Sequence, residues 1–376
     1  MYIRQKHLDN LGRALTPGKA VVIYGARRTG KTTLVQQFLR GVNEPYLLVS
    51  GEDITVQGYL ASQSIEKLSA FVGANRLLVV DEAQKVPNIG INLKLIVDHI
   101  PQIRVIATGS SSFDLARSVG EPLTGRKTTL KLFPLAQLEI GQIEQRHQTD
   151  ANLESRLIYG AYPEVVLTND NRAREQYLRE IIASYLYKDV LELDGVRHAA
   201  KISRLLQMVA LQVGKEVSYT ELGTGLGMSK NTIERYLDLL EKAFVIQKLS
   251  GFSRNLRSEI TKNSRYYFLD NGVRNALINN FNPLDLRNDA GELWENYIVM
   301  ERLKKQEYRF EQANNYFWRT YSQKEIDFVE EREGKLSGFE MKWGAASAKP
   351  PKGWLETYPN ATWQIINRQN YLELIT

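Results

Sequence analysis

Residues 25–32 read Gly-Ala-Arg-Arg-Thr-Gly-Lys-Thr, a glycine, four variable residues and then Gly-Lys-Thr, the pattern of a loop that cradles phosphate. The apolar run Ala20 to Tyr24 ahead of it predicts a buried strand. Leu34, Val35, Phe38 and Leu39 follow at helical spacing before Gly41 and predict a helix. Strand, glycine loop and helix are the geometry that phosphate binding requires. Gly25 and Gly30 let the backbone turn its N–H groups toward phosphate oxygens, and the helix points its positive end at the same charge. Lys31 is placed to reach the β- and γ-phosphates and Thr32 to ligate Mg²⁺, with Thr29 and Thr33 beside them. The expected ligands are ATP and Mg²⁺. A plain glycine turn is the competing reading, and the flanking strand and helix decide against it.

Hydrolysis needs acids as well, and Arg76-Leu-Leu-Val-Val-Asp81-Glu82 supplies them. Four apolar residues predict a strand buried on both faces, with the acids at its carboxyl end, where open α/β sheets hold their ligands. Asp81 is the expected Mg²⁺ ligand, and Glu82 the general base for water attacking the γ-phosphate. A further strand, Arg104 to Ala107, ends in Thr108-Gly109-Ser110-Ser111, where a hydroxyl of Thr108 or Ser110 is placed to orient that water. A simple exit from strand to loop reads equally well.

The chain has 376 residues, 43% hydrophobic and 24% charged, which is ordinary globular composition with room for two or three domains. The absence of cysteine excludes disulfides and thiolate metal sites, and four scattered histidines give no zinc constellation. No apolar run approaches a membrane span and Met1 to Leu11 lacks a signal-peptide core, so a soluble cytoplasmic protein without a membrane partner is expected.

Along the chain, an opening helix at about 3–15 precedes strands at Ala20–Tyr24, Tyr46–Ser50, Leu77–Asp81, Val105–Thr108 and Thr128–Leu132, separated by helical patterns. That alternation predicts a parallel α/β sheet over 1–133. From Phe133-Pro134 the pattern turns helical, with helices at Leu153–Tyr159 and Arg172–Leu191, a helical lid over 134–195. A third unit, 196–284, carries Tyr219 to Leu237: a short helix, a glycine turn and a second helix capped by Ser229. Ile233, Tyr236, Leu237, Leu240 and Phe244 share one face of that second helix, a helix-turn-helix signature. Apolar strands at Phe244–Leu249 and Tyr266–Leu269 would form its wing.

Residues 195–280 hold 13 Lys and Arg against 7 Asp and Glu, an excess equal to the net +6 of the whole chain. Concentrated positive charge favours nucleic acid. Against it, Glu234, Asp238 and Glu241 line the outer side of the recognition helix, so domain packing or protein contact stays open as the alternative. Arg254, Arg257, Lys262 and Arg265 are the better candidates for backbone phosphates.

The last unit, 285–376, carries a second carboxylate set. Glu295 lies on a helix, Asp327 in Glu-Ile-Asp-Phe-Val, and Glu340 and Lys342 in Phe-Glu-Met-Lys. An acid on one strand and Glu-x-Lys on its neighbour can gather around one point, hold Mg²⁺ and activate water for phosphodiester cleavage. The competing reading is two salt-bridged edge strands. Glu333-Gly-Lys335 repeats the Glu-x-Lys pattern in an expected hairpin turn.

The chain resembles the AAA+-superfamily ATPases of bacteria and archaea that join a P-loop domain to a C-terminal domain of formerly unknown function. The resemblance covers nearly the whole length. It rests on GARRTGKTTL (25–34), LLVVDEAQ (77–84), ATGSSS (107–112), TGR and FPL (124–126, 133–135), GAYPEVV (160–166), YLYKDV (185–190), FWR, EIDF and FEMK. It implies a C-terminal fold of the PD-(D/E)xK nuclease type, over Glu295, Asp327, Glu340 and Lys342. Arg28 is a further candidate for nucleotide contact and Arg126 for sensing the γ-phosphate; neither follows from spacing. The expected architecture is an α/β P-loop AAA+ sheet, a helical lid, a winged helix and a small α/β restriction-endonuclease-like domain. The expected function is Mg²⁺-dependent ATP hydrolysis coupled to DNA binding or processing. The alternatives are a nucleotide switch or protein-binding ATPase with an inert C-terminal domain, and a homo-oligomeric motor.

Overall fold

The computed structural model describes residues 2–110, 123–183, 199–253, 264–320, 323–344, 349–351 and 353–376. Strands β1 (Ala20–Gly25), β2 (Tyr46–Ser50), β3 (Leu77–Asp81), β4 (Arg104–Gly109) and β5 (Lys127–Leu132) form one sheet in the order β2-β3-β4-β1-β5. Every pairing in it is parallel. This is the α/β parallel sheet expected of 1–133, with strand ends within about a residue of those read from the apolar runs.

The central strands are apolar throughout because both faces are covered. Leu11, Leu34 and Val35 pack with Val21, Ile23, Val79 and Ile106 on one face. On the other, Leu60, Leu68, Leu93 and Ile96 pack with Val22, Val80 and Val105. The register sets Tyr24 beside Gly109 and Val80 beside Ala107. Hence the carboxyl ends of β1, β3 and β4 stand side by side.

Helices follow at Gln137–Ile140, Arg146–Tyr159, Pro163–Leu167 and Asn171–Ile181. The expected extension of the last one to 191 runs into residues outside the described ones. The opening helix is shorter than expected, His7–Ala14.

Next come helices Ala199–Leu211, Tyr219–Leu226 and Lys230–Lys242. Ser229 caps the last, its Oγ accepting from the Thr232 amide at 3.2 Å. Gly227 closes the preceding helix with φ 60°, and a Cβ on Gly223 would meet the Met228 carbonyl at 2.6 Å. Glycine is what lets the two helices turn so tightly. Strands β6 (Glu216–Val217), β7 (Ile246–Gly251) and β8 (Ser264–Phe268) pair antiparallel beside them.

β7 also pairs, in parallel, with β9 (Asn314–Arg319) through Ser250 and Gly251. β10 (Glu325–Arg332), β11 (Lys335–Met341) and β12 (Thr362–Ile366) complete a seven-stranded sheet, β12-β11-β10-β9-β7-β8-β6. The sheet therefore runs unbroken across the boundary expected at 284/285. The turn between β10 and β11 is Glu333-Gly334, both at positive φ, as a two-residue hairpin needs. Leu157, Leu206, Leu237, Trp294, Ile298, Phe328 and Phe339 belong to one buried cluster, which reaches from the helices after the first sheet into the C-terminal strands. The long helix Ala290–Arg309 is its spine. Among the described residues no helix is long and apolar enough to cross a membrane.

Candidate functional site

The phosphate-loop sequence lies between the end of β1 and the helix Lys31–Leu39. Two residues carry its turn, Arg28 at φ 59° and Gly30 at φ 97°. A Cβ on Gly25 would stand 2.1 Å from the Leu132 carbonyl, so β5 approaches as closely as glycine allows. Lys31 Nζ donates to the carbonyls of Gly25 and Ala26 at 3.0 and 2.9 Å. Thr29 Oγ1 donates to the Ala26 carbonyl at 2.8 Å, and Gln5 Nε2 holds the Thr29 carbonyl at the same distance. Thr33 is exposed on the first turn of the helix.

The acids meet the loop as the strand order dictates. Thr32 Oγ1 donates to Asp81 Oδ2 at 2.8 Å, and Thr108 Oγ1 donates to the other Asp81 oxygen. The Glu82 amide donates to Thr108 Oγ1 at 3.1 Å. Thr108 thus ties β3 to β4, a more structural role than orienting water. Glu82 has φ 50°, and its carboxylate accepts from Gln84 Nε2, which also reaches Ser110 Oγ at 3.3 Å. Ser111 lies outside the described residues. A threonine hydroxyl beside a carboxylate at the mouth of the loop is a donor set that suits a hard divalent cation.

Two arginines make protein contacts of their own. The Arg28 guanidinium lies 5.3 Å from the ring centre of Tyr177, on the helix Asn171–Ile181, so the loop touches the helical segment through it. Arg126 immediately precedes β5, whose Lys127 pairs with Ala20, the first residue of β1. That edge is about 17 Å of strand away from the loop, and Arg126 pairs there with Asp98. It is not a γ-phosphate sensor for its own loop.

In the C-terminal part, Phe328 opposes Phe339 across β10 and β11, which sets Asp327 opposite Glu340 on one face. The Met341 amide donates to Asp327 Oδ2 at 2.8 Å, and Lys342 Nζ lies 2.6 Å from Glu340 Oε1. Glu295 reaches in from the long helix and accepts from the Tyr267 hydroxyl at 2.7 Å. All four expected residues line one cavity of about 580 Å³. Burial, with the Asp327 charge adding to it, raises the Glu295 carboxyl to about 8. Burial likewise raises Asp327 and Glu340.

Besides Lys342, a buried arginine lines this cavity. Arg265 Nη1 lies 3.6 Å from both Glu295 Oε1 and Asp327 Oδ1, and Nη2 lies 2.7 Å from Glu325 Oε2. Its guanidinium also covers the Phe317 ring at 4.6 Å. Among the described residues no three His, Cys, Asp or Glu side chains are gathered as a metal site. The carboxylates expected to hold Mg²⁺ do converge, and a guanidinium stands among them.

Arg265 was expected on the nucleic-acid surface and is buried instead; Arg254, Arg257 and Lys262 lie outside the described residues. Glu241 is also withdrawn from the outer helix face, because its carboxylate accepts from the Lys248 amide at 3.0 Å and Gln247 Nε2 at 2.8 Å. Asp238 pairs with Lys242 at 2.8 Å. Gln5, Gln84, Tyr177 and Tyr267 were missed as site residues. Only Gln84, two positions past the acid pair, left a signal in the sequence.

Residues 17–141 match the AAA domain family. The phosphate loop, Asp81, Glu82 and Thr108 all fall inside this AAA domain, so the chain carries a P-loop nucleotide-binding domain of the ATPase type. Residues 150–284 and 290–369 match two domains of unknown function, DUF8612 and DUF4143. An uncharacterized protein of Mycobacterium tuberculosis is 29% identical over 346 residues, 90% of this chain and 74% of the relative. One of Methanocaldococcus jannaschii is 24% identical, over 84% of this chain and 73% of its own length. Among solved structures, a signal-transduction ATPase with a tetratricopeptide repeat sensor from Pyrococcus horikoshii aligns at 14% identity and TM-score 0.31. That alignment covers 81% of this chain and 46% of the other.

Proposed function

We propose that the AAA domain hydrolyses ATP with Mg²⁺ and that the rest of the chain couples this to DNA. The observation that carries the reading is the relay at the loop mouth, Thr32 to Asp81 to Thr108 to the Glu82 amide. It gathers the Thr32 hydroxyl, the Asp81 carboxylate and the backbone of Glu82 beside the phosphate loop. Loop N–H groups and Lys31 would hold the β- and γ-phosphates, the ammonium leaving the Gly25 and Ala26 carbonyls to do so. Thr32 and Asp81 would hold Mg²⁺, which supplies charge neutralisation to the phosphates. Glu82 would take the proton from attacking water, with Gln84 steadying its carboxylate. The test is calorimetry and ATP turnover with Lys31→Ala: both nucleotide affinity and hydrolysis should be lost, and unchanged affinity would refute the reading.

For DNA, the support is the basic excess of 195–280 and the exposed Lys230, Asn231 and Arg235 near the start of the second helix. A winged helix offers that end of its recognition helix to a groove. Retention on DNA should occur at low salt and fall steeply as salt rises. A second reading, a nucleotide switch whose C-terminal domain does not cleave, is favoured by Arg265 among the C-terminal carboxylates. Plasmid nicking with Mg²⁺ or Mn²⁺ separates the two: nicking that Lys342→Ala removes supports a nuclease, and intact plasmid supports the switch.

A further inference from the structure

The C-terminal cavity is built by two parts of the chain that meet in the seven-stranded sheet. Arg265 comes from β8, beside the helix-turn-helix, whereas Glu295 comes from the long helix and Glu325 and Asp327 from β10. Its side chain is only 4% exposed. A guanidinium fork can satisfy a carboxylate with two parallel N–H bonds at ordinary hydrogen-bond length. Here it does so for none of the three: it stands 3.6 Å from Glu295 and from Asp327, and makes one close contact, to Glu325. Arg265 Nε and Glu340 Oε2 are both buried without a hydrogen-bond partner among the described residues. Buried polar atoms in native proteins are nearly always satisfied; the Glu340 orphan is an acceptor that a cation would satisfy, and the Arg265 orphan is a donor that its present position leaves unpaired.

We propose that Arg265 is a displaceable plug: its guanidinium and a divalent cation compete for Glu295 and Asp327, and metal enters when Arg265 withdraws toward Glu325. This rests on reading the C-terminal carboxylates as able to take a metal. Glu325 is 44% exposed and holds the guanidinium at 2.7 Å, so it marks the way out. A divalent ion and a guanidinium cannot share two carboxylates without strong mutual repulsion in so buried a space. The strand that carries the plug also pairs with β7, directly after the helix-turn-helix, so whatever shifts that hairpin shifts the plug.

The test is Mn²⁺ binding to the full-length, nucleotide-free protein, followed by calorimetry. Arg265→Met keeps the apolar stem over Phe317 and removes the charge, and should bind Mn²⁺ about tenfold tighter than wild type or better. Adding Glu295→Gln to it should abolish the gain, which locates the ion in this cavity rather than at Asp81. If Arg265→Met does not fold, Arg265→Lys serves, since a single ammonium cannot span both carboxylates; a smaller gain in the same direction is expected. Wild type binding Mn²⁺ as tightly as either variant overturns the plug alone. No Mn²⁺ binding in any of them, or a gain that survives Glu295→Gln, overturns the plug together with the metal reading of the cavity, and leaves ATP binding at Lys31 untouched.

Discussion

Thr108 donates its hydroxyl to Asp81 across the β3–β4 pair, and the same oxygen accepts the Glu82 amide. One side chain thereby fixes the spacing of the two acids. Thr108→Val keeps the shape and removes both bonds. ATP affinity should change little while turnover falls roughly tenfold or more, because misplaced catalytic groups cost rate before binding. Single-turnover hydrolysis beside a binding isotherm checks this, and an equal loss in both would point to general collapse of the site.

Glu82 sits at φ 50° with its carboxylate against Gln84. Glu82→Gln preserves size and hydrogen bonding and abolishes basicity. ATP should bind as before and hydrolysis slow by about 10²-fold or more. Hydrolysis at the parental rate would remove Glu82 from the role of base.

Gly160 ends the helix Arg146–Tyr159 at φ 75° and ψ −158°, a region essentially reserved for glycine. A Cβ there would stand 2.0 Å from Asp270 Oδ1, and that carboxylate is buried, accepting from the amides of Ala161 and Val273 at 2.7 and 3.1 Å. Gly160→Ala combines backbone strain with a displaced buried acceptor. Urea unfolding should show a loss of roughly 3 kcal/mol or more, and a loss under about 1 kcal/mol would contradict the packing described.

Asp289 gives a pH-dependent contribution to stability. Burial alone would raise its carboxyl, but the hydrogen bonds from Arg287 and Arg274 outweigh burial and hold it at about 2. An unfolded aspartate titrates near about 3.9. The folded value is the lower, so the contribution is complete above about pH 4 and drains away as pH falls toward 2. Melting temperatures of wild type and Asp289→Asn should therefore differ at pH 6 and draw together between pH 4 and 2. A constant difference down to pH 2 would contradict the assignment.

What the sequence discloses and what it hides divide along a physical line. Contacts made within a strand or between neighbouring elements are readable. The apolar runs ending in Gly25 and Asp81 place the loop and the acids, and the period-two spacing of Glu340 and Lys342 puts both beside Asp327. Contacts that depend on strand order are not. The resemblance made Arg126 a candidate for the γ-phosphate, yet the parallel register of β5, with Lys127 beside Ala20, holds it at the end of the sheet away from the loop. Arg265 gave no sign of its partners, which lie 30, 60 and 62 positions further along. Glu241 read as a solvent-facing acid because the turn into β7, which folds its donors Gln247 and Lys248 back, has no helical period to reveal it.

The parallel ladder between Ser250, Gly251 and β9 makes the helix-turn-helix and the C-terminal cavity jaws of one caliper, set once by folding. If the helix pair grips a duplex, the cavity meets the backbone at a constant count of base pairs from that grip.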